Sequence, residues 1–94
     1  MPLIIKILVS GILKRYFDQT SFQIVLNDNA TLRDLYEYIH AHWVECLPPS
    51  IWNRDKKKFR GPVIVMSEQR VLKNDDEKLY NEQIINMFRF ISGG

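Results

Sequence analysis

A single amphipathic helix set among strand-patterned runs is what most limits how this chain can fold. From Thr31 onward, Leu32, Leu35, Tyr36, Ile39, Trp43 and Leu47 recur at helical spacing, leaving Arg33, Glu37, His40 and Glu45 off the apolar stripe. Thr31 followed three residues later by Asp34 predicts a capping box at the start. Pro48 and Pro49 predict the end, because proline has no amide donor and the residue before it resists the α region. With one such helix, a sheet is covered on one face, which predicts an α+β roll rather than a doubly wound domain.

The strands are read from alternation. In Leu3 to Val9, Ile5, Ile7 and Val9 share one face and Ile4, Lys6 and Leu8 the other. Phe22, Ile24 and Leu26 repeat the pattern after a turn at Ser10-Gly11, so the two runs make a hairpin, with Ile12 to Thr20 extending both arms. Pro62 to Met66 reads as a third strand and Gln69 to Leu72 as a brief strand on the sheet edge. Asn74 to Glu77 is a turn, and Leu79 to Gln83 is irregular or a single helical turn. Ile84 to Ile91 is the last strand, with Ile85, Met87 and Ile91 on one face and Ile84, Phe88 and Phe90 on the other. A strand this apolar belongs in the centre, parallel to the first. The expectation is a mixed four- to five-stranded sheet packed on one main helix: one domain over 1–91, with a connector at 48–61 and a tail at 92–94.

Composition narrows the chemistry. A net charge of +2, from 13 Lys+Arg against 11 Asp+Glu, excludes a general polyanion binder. One cysteine, Cys46, excludes an internal disulfide and a cysteine-only zinc site, and its place near the helix end reads as a small buried apolar residue. His40, His42 and Cys46 fall at i, i+2 and i+6, which does not put three ligands on one helix face, so no metal is expected and His40 reads as an exposed helix residue. Asp75, Asp76 and Glu77 are consecutive and do not converge on a cation; they read as a solvated turn. The apolar N-terminal run carries Lys6 at its centre and fits neither a signal peptide nor a membrane span, so a cytoplasmic address is expected, with no membrane partner.

The connector holds the densest charge: Arg54, Lys56, Lys57, Lys58 and Arg60, with Trp52 and Phe59 beside them. Cations neutralising phosphates and an aromatic stacking on a base are the ingredients of nucleic-acid binding. Charged runs in loops are ordinarily solvated, however, and nucleic acid is not the expected partner. The run stands as a candidate basic docking loop for an acidic partner, or as a source of acceptor lysines, with Ile51, Trp52 and Phe59 pinning it to the body.

Two of the four glycines, Gly93 and Gly94, lie beyond the last strand, where they serve no turn. At a background of about 7% per position, such a pair arises by chance in roughly 0.5% of chains. Taken with the strand order, the opening Leu3 to Val9, the helix start Ala30-Thr31-Leu32-Arg33-Asp34-Leu35, the strand Val63-Ile64-Val65 and the ending Phe88-Arg89-Phe90-Ile91-Ser92-Gly93-Gly94, the chain resembles the ubiquitin-like β-grasp proteins. The branch it looks like is that of the small sulfur carriers and modifiers, including MoaD, ThiS, the ubiquitin-related modifier and the archaeal small modifiers.

That resemblance implies a carrier rather than an enzyme. An ATP-dependent adenylating enzyme of the ubiquitin-activating type would activate the Gly94 carboxylate, which then becomes a thiocarboxylate or an isopeptide. ATP is used by that partner, and no cofactor resides in the chain. Glycine suits a tail threaded into a narrow channel because it has no Cβ. Gly93 and Gly94 are the implied site of activation, with Ser92, Ile91, Phe90 and Phe88 docking the tail and the partner; further partners are a sulfur donor or acceptor enzyme, or target-protein lysines. The alternatives are the small subunit of a molybdopterin-synthase-like complex, or a non-conjugated β-grasp module that binds RNA or an acidic partner through the basic loop.

Overall fold

The computed structural model describes residues 2–89. Strand β1 (Leu3–Val9) is followed by a 3-10 helix (Gly11–Leu13), helix α1 (Lys14–Phe17), β2 (Ser21–Leu26) and helix α2 (Leu32–Trp43). The short strands β3 (Trp52–Asn53) and β4 (Lys58–Phe59) come next, then β5 (Val63–Ser67), β6 (Arg70–Val71) and β7 (Ile84–Arg89). Five strands form one sheet in the order β2-β1-β7-β5-β6, and β3 with β4 form a separate two-stranded ladder.

The expected α+β architecture is present. β1 and β2 pair antiparallel, with Ile5 opposite Ile24, and β7 lies between β1 and β5, parallel to β1 and antiparallel to β5. Alternation sets which face is buried: Ile5, Ile7, Val9, Ile24, Val63, Val65, Ile85 and Met87 point to the helix side and join Leu32, Leu35 and Ile39 of α2 in the core.

Helix α2 starts as the capping residues dictate. The Asp34 carboxylate accepts the Thr31 amide at 2.8 Å and the Thr31 hydroxyl at 3.2 Å. Two more of the orphan amides at this end, those of Leu32 and Arg33, donate to the carbonyls of Glu77 and Asp75. The acidic turn is therefore more than a solvated excursion: its backbone caps the helix, while Asp76 pairs with Arg33 at 3.2 Å and Glu77 pairs with Arg70. At the other end the regular ladder stops at Trp43, short of the prolines. The Leu47 amide still donates to the Trp43 carbonyl at 3.1 Å, and this irregular turn carries Leu47 into the core.

Three expectations are corrected. Residues 11–17 do not prolong the hairpin but coil into the 3-10 helix and α1, because Leu13 and Phe17, four apart, both reach the core from a helical turn. Gly11 opens this segment at φ +64°, and Asp18 closes it in the left-handed region at φ 56°. Cys46 is exposed rather than buried, since the irregular turn after Trp43 faces it outward. His40 is half-buried rather than exposed, because the Trp52 indole packs beside it and donates to its Nδ1 at 3.0 Å.

The connector is not a bare loop. Asn53 Oδ1 accepts the amides of Asp55 and Lys56, each at 3.0 Å, and Lys57 takes φ 54°, which turns the chain back so that Trp52 pairs with Phe59. Both aromatics are buried, with ring centroids 4.9 Å apart and edge-on, and Tyr36 of α2 packs edge-on to each. Ile51, Trp52 and Phe59 do pin the connector, as the sequence predicts.

Candidate functional site

Because α2 and the connector hairpin cover one side of the sheet, the other side is open among the described residues. Its residues are set by register: Val25 faces Ile4, Gln23 and Ile84 flank Lys6, Leu8 neighbours Asn86, and Phe88 lies opposite Ile64. At one end Val25 is 60% exposed, Ile84 46% and Ile4 43%. A cavity of about 290 Å³ lies there between Ile4, Lys6, Gln23, Glu82 and Ile84. At the other end, where β7 finishes, Leu8, Ile64, Met66 and Phe88 are half-buried. Isolated surface apolar residues need no explanation, but apolar residues at both ends of one sheet face, crossing four strands with Lys6, Gln23 and Asn86 between them, make the kind of surface that binds a partner.

Just before β7 the irregular segment 78–83 is tied to the sheet by its own side chains. Asn81 Oδ1 accepts the Ile4 amide at 2.9 Å, and the buried Gln83 amide donates to Ser67 Oγ at 2.9 Å. Tyr80 donates to Glu68, and that hydrogen bond raises the phenol's pKa above its usual value. These contacts fix the point from which β7 enters the sheet. Sequence reasoning passed over them because single polar residues in an irregular stretch carry no periodic signal.

Of the residues singled out by sequence, Phe88 lies on the open face, opposite Ile64 of β5. Phe90, Ile91, Ser92, Gly93 and Gly94 lie outside the described residues. The basic run is divided rather than pooled. Arg54 reaches the Val44 carbonyl at 3.4 Å and Arg60 Nε donates to the Pro49 carbonyl, so both tie the hairpin to the stretch of chain just after α2. Lys58 pairs with Asp75 at 3.7 Å. Lys56 and Lys57 sit exposed at the hairpin tip. Trp52 and Phe59, the aromatics of this stretch, face the core.

Among the described residues, no group of three or more His, Cys, Asp or Glu side chains is gathered as a metal site. No helix among them is long and apolar enough to cross a membrane.

Compared with solved structures, the chain superposes on SAMP1 from Haloferax volcanii with a TM-score of 0.78, over 97% of this chain and 99% of that one, at 13% identity. The fold is the ubiquitin-like β-grasp. Another such β-grasp, Urm1 from Trypanosoma brucei, matches with a TM-score of 0.73 at 17% identity, over 99% of this chain and 97% of that one. A chain from the complex of subunits 1 and 2 of the molybdopterin-converting factor of Helicobacter pylori matches at 0.61 and 15% identity, covering 98% of this chain and 100% of that chain. No family model matches the chain, and no curated protein matches it in sequence. The likeness is thus one of β-grasp architecture spread over the whole chain.

Proposed function

We propose that this β-grasp domain is a carrier or modifier protein whose Gly94 carboxylate is activated by an adenylating enzyme. The observation that supports the reading is the pairing of this fold with the sequence Phe90-Ile91-Ser92-Gly93-Gly94 directly after β7. The structures it resembles include a small archaeal modifier and Urm1, each matched over nearly its whole length.

A carboxylate is a poor electrophile and needs a leaving group before a sulfur or nitrogen nucleophile can displace it. In the proposed step a Gly94 carboxylate oxygen attacks the α-phosphorus of ATP and pyrophosphate departs. The acyl adenylate then loses AMP to an incoming sulfur. In a sulfur carrier that sulfur stays on the acyl carbon as a thiocarboxylate. In a modifier it is a cysteine thiolate, and the resulting thioester passes its glycyl acyl group to a lysine amine, forming the isopeptide C–N bond and releasing the thiol. Gly93 and Gly94 let the backbone enter a narrow channel, and the open face around Phe88, Ile64 and Leu8 would hold the activating enzyme. The chain itself contributes docking and a substrate carboxylate, not catalysis.

The test is ATP–pyrophosphate exchange with the adenylating enzyme of the same host. Full-length chain should support exchange, and deletion of Gly94 should abolish it while leaving thermal unfolding unchanged. Undiminished exchange by the truncated chain would overturn the reading. Intact-mass measurement on protein from the native host separates the two products: oxygen-for-sulfur replacement marks a carrier, and branched peptides ending in these glycines mark a modifier. The likeness to a chain of the two-subunit molybdopterin-converting factor supports a second reading, a synthase small subunit, for which a stable complex with the tail in the partner's active site is the expected result.

A further inference from the structure

A groove of about 480 Å³ runs between the connector hairpin and the outer edge of the sheet, meeting the open face at Ile64. Its floor is apolar, from Phe59, Val63, Val65 and Leu72, and its rim carries Lys58, Arg60, Lys73 and Asp75.

Three observations bear on what fits there. The first is Tyr36, which lines the groove, is only 7% exposed, and is held edge-on by Trp52 and Phe59. Its hydroxyl has no hydrogen-bond partner among the described residues. Since no fully buried side-chain polar atom there is left unpaired, that hydroxyl keeps some exposure, on a residue that lines the groove. Burial, reinforced by Asp75, pushes its pKa up to about 12, so it is a donor at neutral pH.

The second is an uncovered strand edge. β6 pairs with β5 only through Met66–Val71 and Ser67–Arg70, after which the Leu72 amide reaches the Val65 carbonyl at 2.8 Å. The Val63 amide is taken by the Arg60 carbonyl at 3.0 Å, so on this edge the Val65 amide and the Val63 carbonyl are the groups left without a strand partner among the described residues. The third is charge. Lys58 and Asp75 neutralise one another at 3.7 Å, which leaves Arg60 and Lys73 as the groove's excess positive charge.

We propose that this groove docks an extended acidic peptide segment of a partner protein, laid along Val63–Val65. One carboxylate of the segment accepts from the Tyr36 phenol and pairs with Lys73 or Arg60, and an aliphatic side chain fills the space over Phe59 and Leu72. Strand addition supplies backbone hydrogen bonds, and the pocket beneath selects alternate side chains. A nucleic acid fits less well, since Trp52 is in the core and Phe59, on the groove floor, is only 9% exposed, too little for a base to stack on.

The test is a titration of the ¹⁵N-labelled full chain with a short synthetic peptide of alternating aspartate and leucine. Saturable shifts should centre on the amides of Val63, Val65, Leu72 and Lys73. Lys73→Glu, at an exposed position, should weaken binding by about tenfold or more, and Tyr36→Phe, which removes one oxygen, by roughly threefold to tenfold. The proposal is overturned if a lysine–leucine peptide binds equally well, or if shifts map instead to Leu8, Asn86 and Phe88. It is equally overturned if inorganic phosphate reproduces the shifts, or if oligouridylate displaces the peptide. Lys73→Glu should leave ATP–pyrophosphate exchange as it was, so the peptide site and the Gly94 chemistry stand or fall separately.

Discussion

Truncating Trp52 tests whether the connector hairpin is part of the core or an ornament on it. The side chain is 1% exposed, packs against Phe59 and Tyr36, and spends its indole N–H on His40. A buried tryptophan hides roughly 200 Å², of which the Trp52→Ala change forfeits about 150 Å²; at about 25 cal/mol per Å² that is ~4 kcal/mol. The cavity left behind raises the cost, and residual burial in the unfolded chain lowers it, so about 3–5 kcal/mol is expected. Much of that cost falls on the apolar body: half-buried His40 can turn its ring nitrogen to water, so losing the indole donor alone costs only ~1 kcal/mol. Trp52→Phe, which keeps most of the ring, should therefore cost roughly 1–2 kcal/mol. Urea denaturation followed by circular dichroism measures both, and an unchanged m-value would show that the loss is in stability rather than in the denatured state. A Trp52→Ala cost below about 1 kcal/mol would refute the assignment of the hairpin to the core, since it would equal that of an ordinary surface change.

The Tyr36 phenol, pushed up to about 12 by burial and then by Asp75, should ionise well above the usual tyrosine range in an ultraviolet titration. Its folded pKa lies above the unfolded value of about 10, so its contribution to stability is complete below pH ~10 and is lost as pH rises toward 12; Tyr36→Phe should remove that part of the alkaline decline. Asp34→Ala removes the acceptor of the Thr31 amide and should cost about 0.5–2 kcal/mol by thermal unfolding. Gly11→Ala meets no atom within 4 Å of the added carbon but keeps φ at +64°, so a cost of roughly 1 kcal/mol would be purely conformational. On the open face, Phe88→Glu should weaken ATP–pyrophosphate exchange with little loss of fold. Neutralising Lys56, Lys57 and Lys58 together should leave exchange nearly unchanged, and a large loss there would move the docking surface to the hairpin.

The elements legible in the sequence are those with a repeating signal. Ile5-Lys6-Ile7-Leu8-Val9 alternates, so its buried face could be read directly, and the apolar run from Ile84 placed β7 beside β1. Thr31 and Asp34 marked the helix start because capping is local chemistry. What escaped was too short to repeat. Helix α1 has four residues, one turn, and its only trace is the spacing of Leu13 and Phe17. The β3–β4 ladder has two residues in each strand, and its signal was an aromatic on either side of a polar turn opened by Asn53. The open face could be anticipated from counting helices, but the groove beneath Tyr36 could not, because it joins residues from the helix, the connector and the far strands.

The position of β7 has a further consequence for how such a protein comes into being. The strand that stands last in chain order is the one that joins the β1–β2 hairpin to β5 and β6. Until it emerges from the ribosome those two pieces have no shared ladder, and the long-range pairings that make the sheet cooperative cannot form. A chain broken off before Ile84 would lack its central seam and leave the edges of β1 and β5 exposed. The cooperativity of the sheet thus waits on β7: a folded domain is itself evidence that this strand has been made.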